Sequence, residues 1–146
     1  MFKAVSFLHK HKIAHRDIKP DNIMLTLEPE LSLKLIDFNI AHDLSTDPEI
    51  KGANGVRVWS APETRKFASY DESCDLWSIG CILLYLCSGK PPNEHLACNG
   101  LPEGALNQVD EPKREQIADL LNQLLKPEPS ERIPISDALL HPCFCK

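Results

Sequence analysis

Residues 15–22 of the chain read HRDIKPDN, and residues 37–39 read DFN. The first stretch brings together a proton acceptor, a cation and an amide able to bind a metal, and its Pro20 prevents a helix from continuing through it. The second stretch follows the apolar run LKLI at 33–36, which is typical of a short strand. Polar side chains on a loop and at a strand end make these two stretches the first candidates for a functional site.

The overall composition is that of a soluble globular unit. The chain has 146 residues, of which 42% are hydrophobic and 25% are charged, and both fractions are ordinary for such a domain. The formal net charge is −5, whereas a protein that binds nucleic acid usually carries a basic surface. We therefore expect no nucleic-acid partner.

The cysteines indicate a reducing environment. The chain has six of them, at positions 74, 81, 87, 98, 143 and 145. Cys74, Cys81 and Cys87 recur at helical spacing in an apolar run, where buried thiols behave as small hydrophobic groups. No CxxC pair supports a zinc site, and lysines and histidines interrupt residues 1–16, so we expect no secretory signal. The expected location is intracellular, and most simply cytoplasmic.

Hydrophobic periodicity predicts a mainly helical chain with one small β-hairpin. Helices are predicted over residues 2–12, 71–87 and 117–125, with a short one from Ile135 to about residue 141, and strands over 23–25 and 33–36. The apolar residues between 71 and 87 lie nearly all round the helix, which indicates a buried core helix, and the stretch is too short to span a membrane. We expect no membrane partner. Residues 13–22 are predicted to form a loop, and residues 40–60 show no sustained period.

Four further motifs follow the first two along the chain. They are APE at 61–63, DLWSIG at 75–80, EPSER at 128–132 and HPCF at 141–144. In this order, the six motifs resemble the signature of the eukaryotic-type protein kinase family. Because Lys19 lies two residues after Asp17, the chain resembles the serine/threonine members of that family in particular.

The resemblance implies a fold and a division of the chain. The fold would be mainly α with a small β-hairpin, namely the C-terminal lobe of an α+β protein kinase domain. Residues 1–146 would be a partial kinase domain, with a catalytic loop at 13–22, an activation segment at 37–63 and a helical core at 71–144. The sequence contains no GxGxxG loop and no strand lysine with its helix glutamate, so we expect it to lack the N-terminal lobe that helps to enclose ATP.

The resemblance also implies the chemistry and the residues that perform it. A kinase of this type transfers the γ-phosphoryl group of ATP to a serine or threonine hydroxyl of a protein substrate. At the matching positions, Asp17 would be the catalytic base, and Lys19 would neutralise the transferring phosphoryl group. Asn22 and Asp37 would bind Mg²⁺, and with Met24 under the adenine they would form the remaining wall of the ATP site. From the residues alone, Asp17, Asn22 and Asp37 could instead cap loops and form turns.

Other residues of the motifs are expected to be structural. The resemblance implies that His15 stacks under Phe38 and that Asp75 supports the backbone of the catalytic loop. It also implies a buried ion pair between Glu63 and Arg132.

The sequence departs from the family pattern at several positions. Asn39 stands where the pattern has a glycine, which adopts a positive φ without strain. Because asparagine is the next best residue there, we expect the turn to persist. Val56 stands in place of a threonine whose hydroxyl would bond Lys19, and Trp59 stands in place of a tyrosine. Because valine has no hydroxyl, we expect this hydrogen bond to Lys19 to be absent.

A further departure concerns Arg16, which the resemblance pairs with a phosphate on the activation segment. Residues 47–59 contain no Ser, Thr or Tyr that could carry one. We expect Asp47 or Glu49 to supply the negative charge instead.

Two functions remain open on the sequence. The first is protein serine/threonine kinase activity, with an N-terminal lobe (N-lobe) or a kinase partner chain completing the ATP site. The second is a non-catalytic kinase-like binding module that acts through protein–protein contacts. The second gains weight because half of an enclosing pocket binds a nucleotide weakly and leaves an exposed apolar face.

Overall fold

The structure, a computed structural model, describes residues 1–27, 29–52, 55–66, 69–93 and 95–144. Within these ranges the chain forms five α-helices and four short β-strands. The helices are α1 (Phe2–Lys10), α2 (Cys74–Ser88), α3 (Leu96–Asn99), α4 (Lys113–Leu124) and α5 (Ile135–Leu139), and the strands are β1 (Ile13–Ala14), β2 (Ile23–Thr26), β3 (Ser32–Leu35) and β4 (His42–Asp43). The predicted fold, mainly helical with a small β-hairpin, is confirmed.

Helix α2 is the central helix of the core. Its residues from 74 to 82 are all buried, because its sequence is apolar nearly all round. Gly80 allows the end of α4 to approach closely, since a Cβ atom at this position would lie 2.8 Å from Cδ2 of Leu125. The helix ends at Gly89, whose φ of 69° is a left-handed conformation that glycine adopts without strain. In the described ranges, no helix combines the length and the hydrophobicity needed to cross a membrane.

Two clusters of buried side chains pack on different faces of α2. The first cluster takes Trp77, Cys81 and Leu84 from this helix, and the second takes Leu76, Ile79 and Ile82. Helix α4 contributes to both, with Leu121 in the first cluster and Leu120 and Leu124 in the second. Val5 of α1 also belongs to the second cluster. Helix α2 therefore joins the two parts of the core.

Strands β2 and β3 form the predicted antiparallel hairpin. Their register pairs Ile23 with Leu35 and Thr26 with Ser32. Met24 and Leu25 remain 48% and 62% exposed on this hairpin. The hairpin thus presents apolar side chains to the surface.

Two further strand pairings were not predicted. Strand β1 pairs with β4, so that Ile13 lies opposite Asp43, and an isolated antiparallel bridge joins Ile50 to Tyr70. Residues 13–22 were predicted to be a loop throughout, and no period was found in 40–60. Pairings of one or two residues are too short to show the alternation by which a strand is recognised.

Two of the three thiols predicted to be buried on α2 are buried, and the third is not. Cys74 and Cys81 are buried, and Cys87 is partly exposed. Burial raises the pKa of the Cys81 thiol to about 12 and the pKa of the Cys74 thiol well above its ordinary value. Both thiols therefore serve as small apolar groups of the core.

Candidate functional site

The loop at residues 15–22 is fixed to the core through Asp75, a fully buried residue in the first turn of α2. One carboxylate oxygen, Oδ2, accepts the backbone N–H of His15 at 2.9 Å and contacts Nε2 of His9 at 3.0 Å. The other, Oδ1, accepts the backbone N–H of Arg16 at 2.8 Å. The predicted role of Asp75 in supporting the loop backbone is confirmed. The sequence analysis did not predict the contact between His9 and Asp75, because the spacing of a buried helical histidine does not indicate which distant residue it will contact.

His15 links this loop to residues 37–39. Its ring is buried and lies 4.8 Å from the ring of Phe38, centroid to centroid. Its Nε2 also bonds the carbonyl oxygen of Ile36 at 3.1 Å. The packing role predicted for His15 is thereby confirmed.

Asp17 is held through one of its two carboxylate oxygens. Oδ2 accepts hydrogen bonds from Nζ of Lys19 at 2.6 Å and from Nδ2 of Asn22 at 2.9 Å. The same amide nitrogen donates to the backbone carbonyl of Asp17 at 2.8 Å. Within the described part of the chain, Oδ1 of Asp17 accepts no hydrogen bond, so it can receive one from a further group.

A backbone hydrogen bond joins Asn22 to the strand end that precedes Asp37. The backbone carbonyl of Asn22 accepts the N–H of Ile36 at 3.0 Å, and Asp37 follows directly. Asp37 has a φ of 62°, a conformation that is rare for a residue with a side chain and is often found at functional sites. Asn39, which stands in place of the family's glycine, does not have a positive φ. Asn39 instead donates its backbone N–H to Oδ1 of Asp37 at 3.3 Å.

The side-chain oxygen atoms of Asn22 and Asp37 are suitable ligands for a magnesium ion. The amide nitrogen of Asn22 is turned towards Asp17, which leaves its amide oxygen as an acceptor, and the Asp37 side chain is exposed. An amide oxygen and a carboxylate are hard oxygen ligands, and Mg²⁺ usually takes few protein ligands and fills the other positions with water and phosphate oxygens. In the described ranges, no group of three or more His, Cys, Asp or Glu residues could hold a metal.

Glu63 and Arg132 form the predicted ion pair between the APE and EPSER motifs. The contacts are bidentate, with Nη1 2.5 Å from Oε1 and Nη2 2.7 Å from Oε2. Arg132 also donates to the backbone carbonyls of Ser73 and Lys126, at 3.1 Å and 2.9 Å. Its guanidinium carbon lies 5.4 Å from the centre of the Trp77 ring. The pair thus fixes the end of the segment at 37–63 to the helical core.

The side chain of Arg16 has a partner that the sequence did not indicate. Its Nε and Nη2 both donate to the hydroxyl of Tyr70, at 3.1 Å and 2.9 Å. The prediction that Asp47 or Glu49 would supply its charge partner is wrong. Within the described residues, Asp47 lies near His42 and Glu49 pairs with Lys51 at 3.0 Å.

Comparison with known proteins gives a family match and several relatives. Residues 1–144 match the family described as the protein kinase domain. MAP kinase-activated protein kinase 2 of Homo sapiens is 34% identical over 152 residues, which cover 96% of this chain and 38% of that protein. Serine/threonine-protein kinase ULK3 of Rattus norvegicus is 37% identical over 145 residues, with 95% and 31% covered. The liver/testis isoform of the phosphorylase b kinase gamma catalytic chain of Bos taurus is 34% identical over 158 residues, with 99% and 38% covered.

The chain therefore belongs to the protein kinase family, and its relatives include serine/threonine protein kinases. It spans less than half of the length of the relatives named above, between 31% and 38% of each.

Proposed function

We propose that this chain provides the catalytic base, the phosphoryl-binding lysine and the metal ligands of a protein serine/threonine kinase. It would transfer the γ-phosphoryl group of ATP to a serine or threonine hydroxyl of a protein substrate when an N-lobe, on the same or a partner chain, completes the ATP site. The observation that supports this most is that Lys19 and Asn22 both bind the same oxygen of Asp17. This arrangement fixes the carboxylate and leaves Oδ1 for the acceptor hydroxyl.

The role proposed for Asp17 follows from its hydrogen bonds. A general base must lie within hydrogen-bond reach of the proton that it removes, in a fixed orientation. Two hydrogen bonds to Oδ2 prevent the carboxylate from rotating, so Oδ1 points in one direction only. A substrate hydroxyl bonded to this oxygen would lose its proton to Asp17 as its own oxygen attacks the γ-phosphorus of ATP, the bond from that phosphorus to the β–γ bridging oxygen breaks, and ADP leaves.

Lys19 can bind the phosphoryl group while it remains in contact with Asp17. An ammonium group has three donors, and Lys19 uses one of them on Oδ2. The other two can donate to oxygens of the phosphoryl group, and the positive charge offsets the negative charge that gathers there. Its side chain is 20% exposed, so the ammonium group is accessible from the surface of the loop.

Mg²⁺ and ATP would be held by the residues beside this loop. Mg²⁺-ATP supplies the phosphoryl group and neutralises part of its charge. Asn22 and Asp37 would bind the metal through oxygen atoms. Met24, which is 48% exposed on β2, would provide an apolar surface for the adenine.

The proposal is tested by phosphoryl transfer with the ATP site completed. The full chain would be combined with the purified N-lobe of human MAP kinase-activated protein kinase 2, and transfer of labelled phosphate from ATP to a serine-containing protein would be followed. We expect transfer that is lost in Asp17→Asn and in Asp37→Ala. Transfer that persists in both variants, or none in an assembly that binds Mg²⁺-ATP, would reject the proposal.

An apolar groove favours the second candidate, a non-catalytic module that binds a kinase lobe. The groove has a volume of about 290 Å³ and is lined by Met1, Pro20, Ile23, Leu25, Leu33, Ile82, Tyr85 and Leu86. Leu25 is 62% exposed and Leu86 is 72% exposed, which is unusual for large apolar residues grouped together. An apolar helix of a kinase N-lobe would cover these side chains.

The two candidates predict different results in one assay. Binding of the purified N-lobe would be measured by calorimetry together with phosphoryl transfer. Tight binding without transfer would support the binding module, whereas binding with transfer would support the kinase. Leu86→Glu should weaken binding in either case, while Leu140→Glu, at a residue that is 80% exposed and does not line the groove, should not.

A further inference from the structure

Tyr70 lies between the loop at 15–22 and the segment at 37–63 and is only 8% exposed. We propose that Tyr70 is a positioning residue, whose hydroxyl docks the segment onto Arg16 in the place where a phosphate would otherwise be needed. Docking of the segment would then require no phosphorylation of the chain. This inference does not depend on phosphoryl transfer, because it concerns contacts within the chain alone.

The hydroxyl of Tyr70 uses its full hydrogen-bonding capacity at this junction. It accepts two hydrogen bonds from Arg16, from Nε at 3.1 Å and from Nη2 at 2.9 Å. It donates one to the carbonyl oxygen of Gly52 at 3.3 Å. A phenolic hydroxyl has one donor and two lone pairs, so one atom joins the arginine to the segment.

The remaining contacts of Arg16 hold it in the same orientation. Its Nη1 donates to the carbonyl oxygen of Ile40 at 3.0 Å, and its guanidinium carbon lies 5.7 Å from the centre of the Tyr70 ring. Its backbone N–H donates to the buried carboxylate of Asp75 at 2.8 Å. Arg16 has a φ of 70°, a left-handed conformation that is strained for a residue with a side chain. Side-chain and backbone contacts together therefore maintain an unfavourable local conformation.

The segment meets this junction at three further points. The backbone N–H of Tyr70 donates to the carbonyl of Ile50 at 3.0 Å, and the N–H of Ile50 donates to Tyr70 at 3.3 Å. Ile50 itself is fully buried. A Cβ atom at Gly55 would lie 3.0 Å from the carbonyl oxygen of Arg16, so the segment passes directly over the loop. Tyr70 thus contacts both sides of the junction through its backbone and its hydroxyl.

The groups that could compete for Arg16 are absent from the segment or are engaged elsewhere. Residues 47–59 contain no hydroxyl residue. Upstream of them, Ser45 and Thr46 both bond Asp43. A neutral hydroxyl binds a guanidinium group less strongly than a phosphate does, but it is always present. Docking of the segment through Tyr70 would therefore always be available, and it would be weaker than docking through a phosphate.

The test uses the full chain, labelled with ¹⁵N and treated with phosphatase. In the wild type we expect a slowly exchanging Nε–H signal from Arg16 and a protected backbone amide at Ile50. Tyr70→Phe keeps the ring and removes the hydroxyl, and should speed both exchanges by about tenfold or more, as loss of hydrogen bonds to a charged group implies. Tyr85→Phe is the matched control, since Tyr85 contacts Trp59 through its ring, and it should leave both signals unchanged.

Titration with inorganic phosphate provides a second readout. If Tyr70 had only a structural role, its replacement would not change how the Arg16 signal responds to phosphate. Titrated into Tyr70→Phe, it should shift the Arg16 Nε–H signal, because the guanidinium edge is then open to an anion; in the wild type it should not. The proposal is overturned if Tyr70→Phe leaves the Arg16 signal unchanged, or if phosphate shifts the signal equally in both proteins. If Tyr70→Phe does not fold, the phosphatase-treated wild type decides alone, since rapid exchange at both Arg16 and Ile50 would contradict the proposal.

Discussion

The carboxylate of Asp75 accepts the backbone N–H of Arg16 at 2.8 Å, across 59 positions of sequence. Asp75 lies in the first turn of the most buried helix, whereas Arg16 lies in the loop that carries the candidate catalytic residues. The position of that loop is therefore determined by the core rather than by the loop sequence. The same carboxylate also holds the N–H of His15 at 2.9 Å.

Asp75→Asn should destabilise the chain strongly. Each oxygen of the Asp75 carboxylate accepts one backbone N–H, from His15 or from Arg16. The asparagine amide has only one oxygen, and its NH₂ group would face the other backbone N–H. At least one buried N–H therefore loses its acceptor. A buried unsatisfied group costs about 1–3 kcal/mol. The free energy of unfolding in urea should fall by this amount. Asp71→Asn is the control, because Asp71 is an exposed carboxylate that accepts the N–H of Ser73 nearby, and a loss as large there would contradict the account.

Glu63→Gln should destabilise the chain because it breaks a buried ion pair. Arg132 would keep its charge in a position where its side chain is 0% exposed. Removal of one partner of such a pair typically costs about 3–5 kcal/mol. Urea denaturation measures the loss, and Glu131→Gln, at an exposed neighbour of Arg132, should change stability by less than about 0.5 kcal/mol. Equal losses in the two variants would show that the pair is not important for stability.

The thiols should react in an order set by burial. The pKa of Cys81 is raised to about 12 and that of Cys74 is raised well above its usual value, both by burial. Near pH 8 these two thiols carry almost no thiolate, which is the reactive form. Iodoacetamide followed by peptide mapping should therefore modify the exposed Cys98 in the native protein, and Cys74 and Cys81 only after denaturation. Modification of Cys81 in the native protein at the rate of Cys98 would contradict this assignment.

The contact between Asp119 and His141 should make part of the stability depend on pH. Nε2 of His141 lies 3.0 Å from Oδ2 of Asp119, and this hydrogen bond lowers the pKa of the carboxyl group below its ordinary 3.8. A carboxyl group whose pKa is lower in the folded state than in the unfolded state stabilises the fold at pH values above its unfolded-state pKa. This contribution is lost as the pH falls through its folded-state pKa. The wild type should thus exceed Asp119→Asn in stability at pH 6, and the difference should shrink below pH 4. A difference that does not change with pH would contradict the direction of this shift.

The elements that the sequence predicted are those with a strong local pattern. Helix α2 is marked by a long apolar run and the β2–β3 hairpin by two short ones, and the resemblance of the HRDIKPDN run to the kinase motif implied related roles for Asp17, Lys19 and Asn22. The β1–β4 pairing was missed because two residues of strand carry no periodic signal. The partner of Arg16 was missed because Tyr70 is 54 positions away, and only the folded chain brings the two side chains together.

The turn at 37–39 shows a limit of reasoning from residue type. Glycine or asparagine is the usual residue at a positive φ, and so Asn39 was the natural candidate. The structure places the positive φ at Asp37. Its carboxylate accepts the N–H of Asn39 at 3.3 Å, a local bond that helps to maintain this conformation.

The central claim is that Asp17 acts as the base in phosphoryl transfer, and the kcat of Asp17→Asn tests it most directly. The chain would be assayed with a supplied N-lobe, saturating Mg²⁺-ATP and a protein substrate, beside Asp137→Asn, which alters an exposed carboxylate on α5. We expect kcat to fall by about 10²–10⁴-fold in Asp17→Asn, with Asp137→Asn equal to the wild type. A folded Asp17→Asn assembly that keeps the wild-type kcat would contradict the account.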